Sequence, residues 1–144
     1  MEQDIKTLID GLNEDLAYEY AAAITYTYNA ATVSGLARPM LKSFFEGEIQ
    51  DEMKHASYLS EKIASLGGTP VVKPAEVKQA SDVRGMLEYA IAEEDATIKR
   101  YIKRIEQAEA AGQHGLKIEL EGMVADESNH KEEMQRLLKD PRLS

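Results

Sequence analysis

Residues 45–63 have the sequence FEGEIQDEMKHASYLSEKI, in which charged side chains interrupt an apolar helical stripe. The apolar residues at both ends of this stretch recur at spacings of three and four, which place them on one face of an α-helix. Glu52 and His55 occupy the middle of that same face. A charged side chain on a buried face is costly unless it is paired or binds a metal ion. The stretch therefore predicts a buried helix face that carries a polar site.

The same pattern recurs in the second half of the chain. Residues 126–130 have the sequence DESNH, so Glu127 and His130 repeat the spacing of Glu52 and His55. Residues three apart lie on one helix face, which puts a carboxylate beside an imidazole in each half. A shift of 75 positions maps Glu19, Tyr26, Asp51, Glu52 and His55 onto Glu94, Tyr101, Asp126, Glu127 and His130. The chain is therefore predicted to contain two copies of one helical hairpin.

Three breaks divide the chain into four helices. Turn-forming residues at 34–35, 67–70 and 112–115 leave helices near 4–33, 38–66, 82–111 and 115–139, with Asp82 as an N-cap. The connector of 14 residues, 67–80, spans roughly 46 Å when extended, as much as a 30-residue helix of about 45 Å. We expect one all-α domain, residues 1–144, that forms a four-helix bundle with a long crossover between helices two and three.

Glu19 and Glu94 complete the polar set. They precede Glu52 and Glu127 by 33 residues each, and both midpoints fall at predicted hairpin turns. Six side chains are therefore expected at one height of the bundle as metal ligands: Glu19, Glu52, His55, Glu94, Glu127 and His130. Four carboxylates balance two divalent ions, and oxygen with imidazole donors favours iron or manganese while also accepting zinc. The alternative, a bundle that buries these carboxylates without metal, would have to tolerate their mutual repulsion.

Several neighbouring residues are open to two interpretations. Glu48 falls on the same stripe but maps onto a methionine, so we expect a solvated edge residue, with an additional ligand as the alternative. Tyr101 is expected to pack in the core, whereas Tyr26 is equally suited to core packing or to a role beside the metals. Asp51 and Asp126 are expected to orient the ligand histidines, with a solvated helix face as the alternative.

Composition excludes several classes of function. The chain has 17 basic and 26 acidic residues, a net charge of −9 and no cysteine. The acidic balance argues against nucleic acid or an anionic membrane as a partner. Without cysteine, disulfides, zinc ribbons, iron–sulfur clusters and thiol catalysis are excluded. A polar N-terminus and the lack of any apolar run near the ~18 residues of a membrane span favour a cytoplasmic protein.

At residues 51–55 and 126–130 the chain resembles the second- and fourth-helix motifs of the ferritin-like superfamily, bacterioferritin most closely, and it also resembles rubrerythrin. The resemblance implies bridging carboxylates at Glu52 and Glu127, terminal carboxylates at Glu19 and Glu94, and one histidine ligand per iron at His55 and His130. It implies a ferroxidase that binds two Fe(II) ions and oxidises them with O2, for iron storage or detoxification.

Two other functions remain open beside the ferroxidase. One is a rubrerythrin-like peroxide-scavenging or other di-iron oxidase, and the other is a metal-binding bundle without turnover. Thr97 stands where rubrerythrin-type peroxidases carry an additional glutamate, which favours O2 over peroxide as the oxidant.

The resemblance also bears on haem and assembly. Met53 stands where bacterioferritin has a haem-ligating methionine, and it is expected to point outward because each helical residue turns about 100°. An apolar residue that fills a subunit contact is the alternative interpretation of Met53. The short fifth helix of the bacterioferritin cage has no counterpart in the sequence, so we expect a homodimer or another small homo-oligomer.

Overall fold

The structure is a computed structural model that describes residues 2–143. Its elements are α1 (Glu2–Thr32), α2 (Arg38–Ser65), α3 (Val83–Ala110), α4 (His114–Leu137) and a short 3-10 helix (Pro141–Leu143). The four predicted helices are confirmed, and their bounds differ from the prediction by two residues at most. Within residues 2–143, no helix has both the length and the apolar character needed to cross a membrane.

Local sequence signals set the helix ends. Gly67 follows the end of α2 with a φ of +92°, a conformation that glycine adopts without strain. The N–H of Gly68 then donates to the carbonyl of Ile63 at 2.9 Å, which closes the last turn. At the start of α3, the carboxylate of Asp82 accepts from the N–H of Gly85 at 2.7 Å, so the predicted N-cap is confirmed.

The connector between α2 and α3 runs along α1. The N–H of Ala75 donates to the carbonyl of Ala17, and the N–H of Val71 donates to the side-chain oxygen of Asn13, both at 2.9 Å. The α1–α2 loop, the start of α3 and the end of α4 meet at one end of the bundle, where they line a common cavity. Because α2 and α3 both begin at this end, they run parallel, as the long crossover requires.

Two apolar clusters fill the bundle on either side of a polar layer. One contains Leu8, Leu12, Leu16, Leu59, Ile63, Leu116 and Leu120, and the other contains Tyr26, Phe45, Met86, Leu87 and Met134. Along α1, Glu19 lies between residues of the two clusters, and along α2, Glu52 does the same. Fully burying a leucine contributes about 1.5–3 kcal/mol to the free energy of unfolding, so the clusters can offset the cost of burying charge between them.

Candidate metal centre

The structure brings all six predicted ligands together in the polar layer. Each of the four helices contributes one carboxylate, and Glu19, Glu52, Glu94 and Glu127 are each at most 3% exposed. The histidines come from α2 and α4, with side chains 8% exposed at His55 and 11% exposed at His130. Their convergence follows the sequence-based expectation, whereas their role as ligands stays a prediction.

The ligand atoms form two adjacent groups, each with its atoms within 4.8 Å of one another. The first group is Glu19, Glu52, His55 and Glu127, and the second group is Glu48, Glu52, Glu94 and His130. Glu52 belongs to both groups. Glu127 also lies between them, since its Oε1 is 3.3 Å from Nδ1 of His55 and 3.7 Å from Nδ1 of His130. This is the geometry that carboxylates shared by two metal ions would need.

Several polar atoms at the centre of the layer are buried without a hydrogen-bond partner among residues 2–143. They include Nδ1 of both histidines and both carboxylate oxygens of Glu127. Leaving a buried polar atom unpaired costs about 1–3 kcal/mol, so such atoms are rare in proteins. Nδ1 of His130 lies 2.7 Å from Oε2 of Glu48, a distance at which the two atoms can share a proton when no cation is bound. Oxygen and nitrogen lone pairs that converge in this way fit a bound cation.

Aspartates hold the far side of each histidine ring. Nε2 of His55 lies 3.2 Å from Asp126, and Nε2 of His130 lies 3.1 Å from Asp51. A proton on Nε2, donated to the aspartate, leaves the Nδ1 lone pair free for a metal ion. Each aspartate orients the histidine of the other hairpin, because Asp51 lies on α2 with His55. The geometry favours the orienting role over a merely solvated helix face.

Two tyrosines hold the outer carboxylates. The hydroxyl of Tyr26 donates to Oε1 of Glu94 at 2.7 Å, and the hydroxyl of Tyr101 donates to Oε1 of Glu19. Both rings are buried. Tyr101 packs in the core as expected, and its hydroxyl in addition makes the same kind of contact as that of Tyr26 in the other half. Each bond fixes one carboxylate oxygen and leaves the other, Oε2, without a partner within the described residues.

Glu48 departs from the sequence-based expectation. It is 5% exposed, so the prediction of a solvated edge residue is wrong. Residue 48 precedes Glu52 by about one helical turn and therefore lies on the same buried face. The 75-residue repeat places a methionine at the equivalent position, and that difference made Glu48 look peripheral. With Glu48 included, the polar layer contains five carboxylates and two histidines, and the two groups of candidate ligands are not equivalent.

Burial and crowding of charge shift the pKa values in the polar layer. Burial first, and then the charges of neighbouring carboxylates, raise the pKa of Glu52 well above its usual range. Burial alone would lower the pKa of His55, but the adjacent glutamates outweigh it and raise the pKa to about 11. At His130 the carboxylate of Glu48 likewise outweighs burial and raises the pKa to about 9. At neutral pH the metal-free site therefore holds protons that a metal ion must displace.

The family model of the ferritin-like domain matches residues 9–144. The chain belongs to the ferritin-like family. The resemblance seen at residues 51–55 and 126–130 and the ferritin-like bundle predicted from the sequence are both confirmed.

Two solved structures described as a ferritin-like protein and a thioferritin are similar to this chain in fold. A ferritin-like, diiron-carboxylate protein from Bacillus anthracis str. Ames is 60% identical, with a TM-score of 0.94 over 96% of this chain and all of that chain. A dodecameric thioferritin, the bacterioferritin-related protein from Bacteroides fragilis, is 25% identical, with a TM-score of 0.86 over 94% of this chain and 86% of that chain.

Two relatives are similar in sequence. A nutrient stress-induced DNA-binding protein from a Synechococcus species is 28% identical over 81% of this chain and 72% of its own length. A bacterial ferritin from Neisseria meningitidis serogroup B is 31% identical over 74% of this chain and 71% of its own length. These two relatives carry different functional names, and similarity to them therefore does not assign one activity to this chain.

Proposed function

We propose that this chain is a ferroxidase that binds two Fe(II) ions and oxidises them with O2, in iron storage or detoxification. The observation that carries the proposal is Glu52, which is shared by two adjacent groups of buried ligand atoms. The similarity to a diiron-carboxylate protein at 60% identity supports iron as the metal. The donor set itself would also accept manganese or zinc.

The charge of the site suits both oxidation states of iron. Five carboxylates, those of Glu19, Glu48, Glu52, Glu94 and Glu127, carry a formal charge of −5 when ionised. Two Fe(II) ions bring the total to −1, and two Fe(III) ions bring it to +1. Because an uncompensated buried charge is costly, a site that stays within one charge of neutrality in both states favours a reversible change between them.

The electrons balance in this scheme. Each Fe(II) gives up one electron, and O2 takes up the two electrons with two protons to become hydrogen peroxide. The protein holds the substrate ions in position with carboxylates fixed by Tyr26 and Tyr101 and with histidines oriented by Asp51 and Asp126. The apolar clusters on both sides keep bulk water away from the layer.

Thr97 supports O2 as the oxidant. Its hydroxyl accepts a hydrogen bond from Arg100 at 2.8 Å, and it has no carboxylate to offer to the metals. The rubrerythrin-like alternative carries a glutamate at this position, so this chain lacks one ligand of that arrangement, whereas α2 offers the additional carboxylate of Glu48.

The reaction class can be tested by stopped-flow mixing. Protein loaded anaerobically with Fe(II) is mixed with O2 or with hydrogen peroxide, and the rate of Fe(III) formation is compared with that of protein-free Fe(II). We expect rapid oxidation by O2. Much faster oxidation by peroxide, with sluggish O2 chemistry, would favour the peroxide-scavenging alternative. Oxidation no faster than in protein-free solution would favour a metal-binding bundle without turnover.

We propose the cytoplasm as the compartment and a homodimer or other small homo-oligomer as the assembly, with no nucleic-acid or membrane partner. The Synechococcus relative is described as DNA-binding, but a net charge of −9 makes this chain a poor ligand for a phosphate backbone. The Bacteroides relative is dodecameric. Light scattering measures the mass of the assembly, and the mass of a closed shell of many subunits would contradict a small oligomer.

A further inference from the structure

A cavity of about 560 Å³ lies at the end of the bundle where α2 and α3 begin and α4 ends. Its walls come from the α1–α2 loop, from the first turns of α2 and α3, and from residues 136–143, so it is separate from the metal centre. The volume falls within the range of about 300–1,000 Å³ that is typical of small-molecule sites.

The walls of this end cavity are largely apolar. They include Leu41, Val83, Leu87, Leu137 and Leu143. Two further lining residues are large and apolar yet face solvent, since Leu36 is 90% exposed and Met40 is 58% exposed. Exposed apolar side chains gathered around a concave surface mark a binding site more often than scattered ones do. The tail of an apolar ligand would therefore fit this end of the bundle.

The rim of the cavity is basic, although the whole chain has a net charge of −9. Arg136, Lys139 and Arg142 line it together with one acidic residue, Asp140. Arg142 is neutralised by Asp140, because Nη2 lies 2.6 Å from Oδ2. Lys139 is exposed and adds positive charge to the rim, and Arg136 adds to it through an exposed guanidinium whose Nη1 lies 3.9 Å from Oε2 of Glu133, at the limit of an ion pair. A ligand with a negative head group would be complementary to this rim.

The start of α2 adds a second feature that suits an anion. Ala37 and Met40, on either side of the helix start, both line the cavity. The methyl group of Ala37 cannot accept a hydrogen bond, whereas the equivalent position of α3 holds Asp82, which caps its helix. The N–H of Arg38 already donates to the carbonyl of Gly35 at 3.1 Å and Pro39 has no N–H, so what the helix start offers an anion is the positive end of the helix dipole. The uncapped start of this 28-residue helix thus points to the same ligand class as the basic rim.

We propose that the end cavity binds a single-chain amphiphile with an anionic head group, such as a medium-chain fatty acid. The hydrocarbon tail contacts the leucines of the walls, and the carboxylate lies near Arg136, Lys139 and the start of α2. This site is separate from the metal centre, so the result of its test does not depend on the ferroxidase proposal.

Isothermal titration calorimetry of the full chain with dodecanoate, below its micelle-forming concentration, tests the proposal. We expect one dodecanoate per chain, much weaker binding of hexanoate because its tail is short, and no saturable binding of dodecyltrimethylammonium. Met40→Glu places a negative charge on the lip and should weaken dodecanoate binding at least about tenfold. Ile118→Glu is the matched control, because Ile118 is 67% exposed on α4 and lies outside the cavity walls.

A double variant, Arg136→Gln with Lys139→Gln, separates charge from folding, since both side chains are exposed. It should weaken dodecanoate binding about tenfold or more, with an unchanged circular dichroism spectrum. The proposal is overturned if dodecanoate does not bind, if the cationic amphiphile binds equally well, or if neither variant changes the affinity. A lower oligomer mass of Met40→Glu by light scattering would also overturn it, because the cavity would then belong to a contact with a second copy.

Discussion

Replacing Glu52 by glutamine separates the contribution of this side chain to folding from its contribution to metal binding. Glu52 is 1% exposed and belongs to both groups of ligand atoms. Burial and the neighbouring carboxylates raise its pKa well above the usual range, so the metal-free protein favours the protonated, neutral form. A neutral amide of the same shape should therefore cost the metal-free protein little stability. The same change removes the ligand shared by both metal ions.

The size of the effect follows from the number of sites and the chain length. A ligand at 100 times its dissociation constant adds about 2.7 kcal/mol to the free energy of unfolding, so two ions add about 5.4 kcal/mol. For 144 residues, an unfolding entropy of about 2.1 cal/mol/K per residue amounts to about 0.3 kcal/mol/K. Saturating Fe(II) should then raise the Tm of the wild-type protein by about 18 °C, and Glu52→Gln should lose most of that rise.

The assay is thermal unfolding under anaerobic conditions, with a chelator or with Fe(II). Glu46→Gln is the control, because Glu46 lies on the same helix with its side chain 51% exposed and paired with Lys42. If Glu52→Gln kept the full metal-dependent rise in Tm, Glu52 would not be a shared ligand. If instead its metal-free Tm fell by as much as the metal-dependent rise, the assumption of a protonated carboxyl would be wrong.

Three further predictions concern neighbouring residues. Raising the pH from about 6.5 towards 9 should lower the Tm of the metal-free protein in calorimetry. The pKa values of His130 and His55 are raised in the folded state to about 9 and about 11, so over this range the folded state keeps protons that unfolded histidines, with a pKa of about 6.5, have released, and its free energy of unfolding falls. A rise in Tm would contradict the charge distribution. In anaerobic titrations, Glu48→Gln should lower the affinity for one Fe(II) ion about 10- to 100-fold and leave the affinity for the other unchanged. An equal loss of affinity for both ions would argue against two unequal groups. Met53 is 46% exposed, so the outward orientation holds, and its two interpretations are a haem ligand shared by two subunits or an apolar residue at a subunit contact. A haem ligand predicts that added haem gives a bis-methionine spectrum that Met53→Leu abolishes, whereas no haem uptake or an unchanged spectrum would leave the apolar contact.

Much of the fold and the convergence of the candidate ligands could be predicted because both depend on local periodicity. The i, i+3 spacing of Glu52 and His55 is a property of one helix, and a 75-residue repeat shows that the second hairpin shares it. Equal distances from a turn then place Glu19 opposite Glu52. These relations need no knowledge of how the two hairpins pack against each other.

Contacts between the hairpins could not be predicted in this way. Tyr101 meets Glu19 across 82 residues of sequence, and the contact depends on the relative height and rotation of α1 and α3. The buried pair of Asp15 and Arg104, at 2.8 Å, has the same origin. Its guanidinium lies against Gly11, where a Cβ atom would come within 1.8 Å of Nη1. Helical periodicity records which residues share a face, but not which side chain of another helix they meet.

The number of Fe(II) ions bound per chain tests the central claim most directly. Metal is removed from the purified protein with a chelator, and Fe(II) is added back under anaerobic conditions while bound and free iron are measured by equilibrium dialysis. The two groups of ligand atoms that share Glu52 predict saturation at two Fe(II) ions per chain. Saturation at one ion, or no saturable binding, would contradict a dinuclear centre.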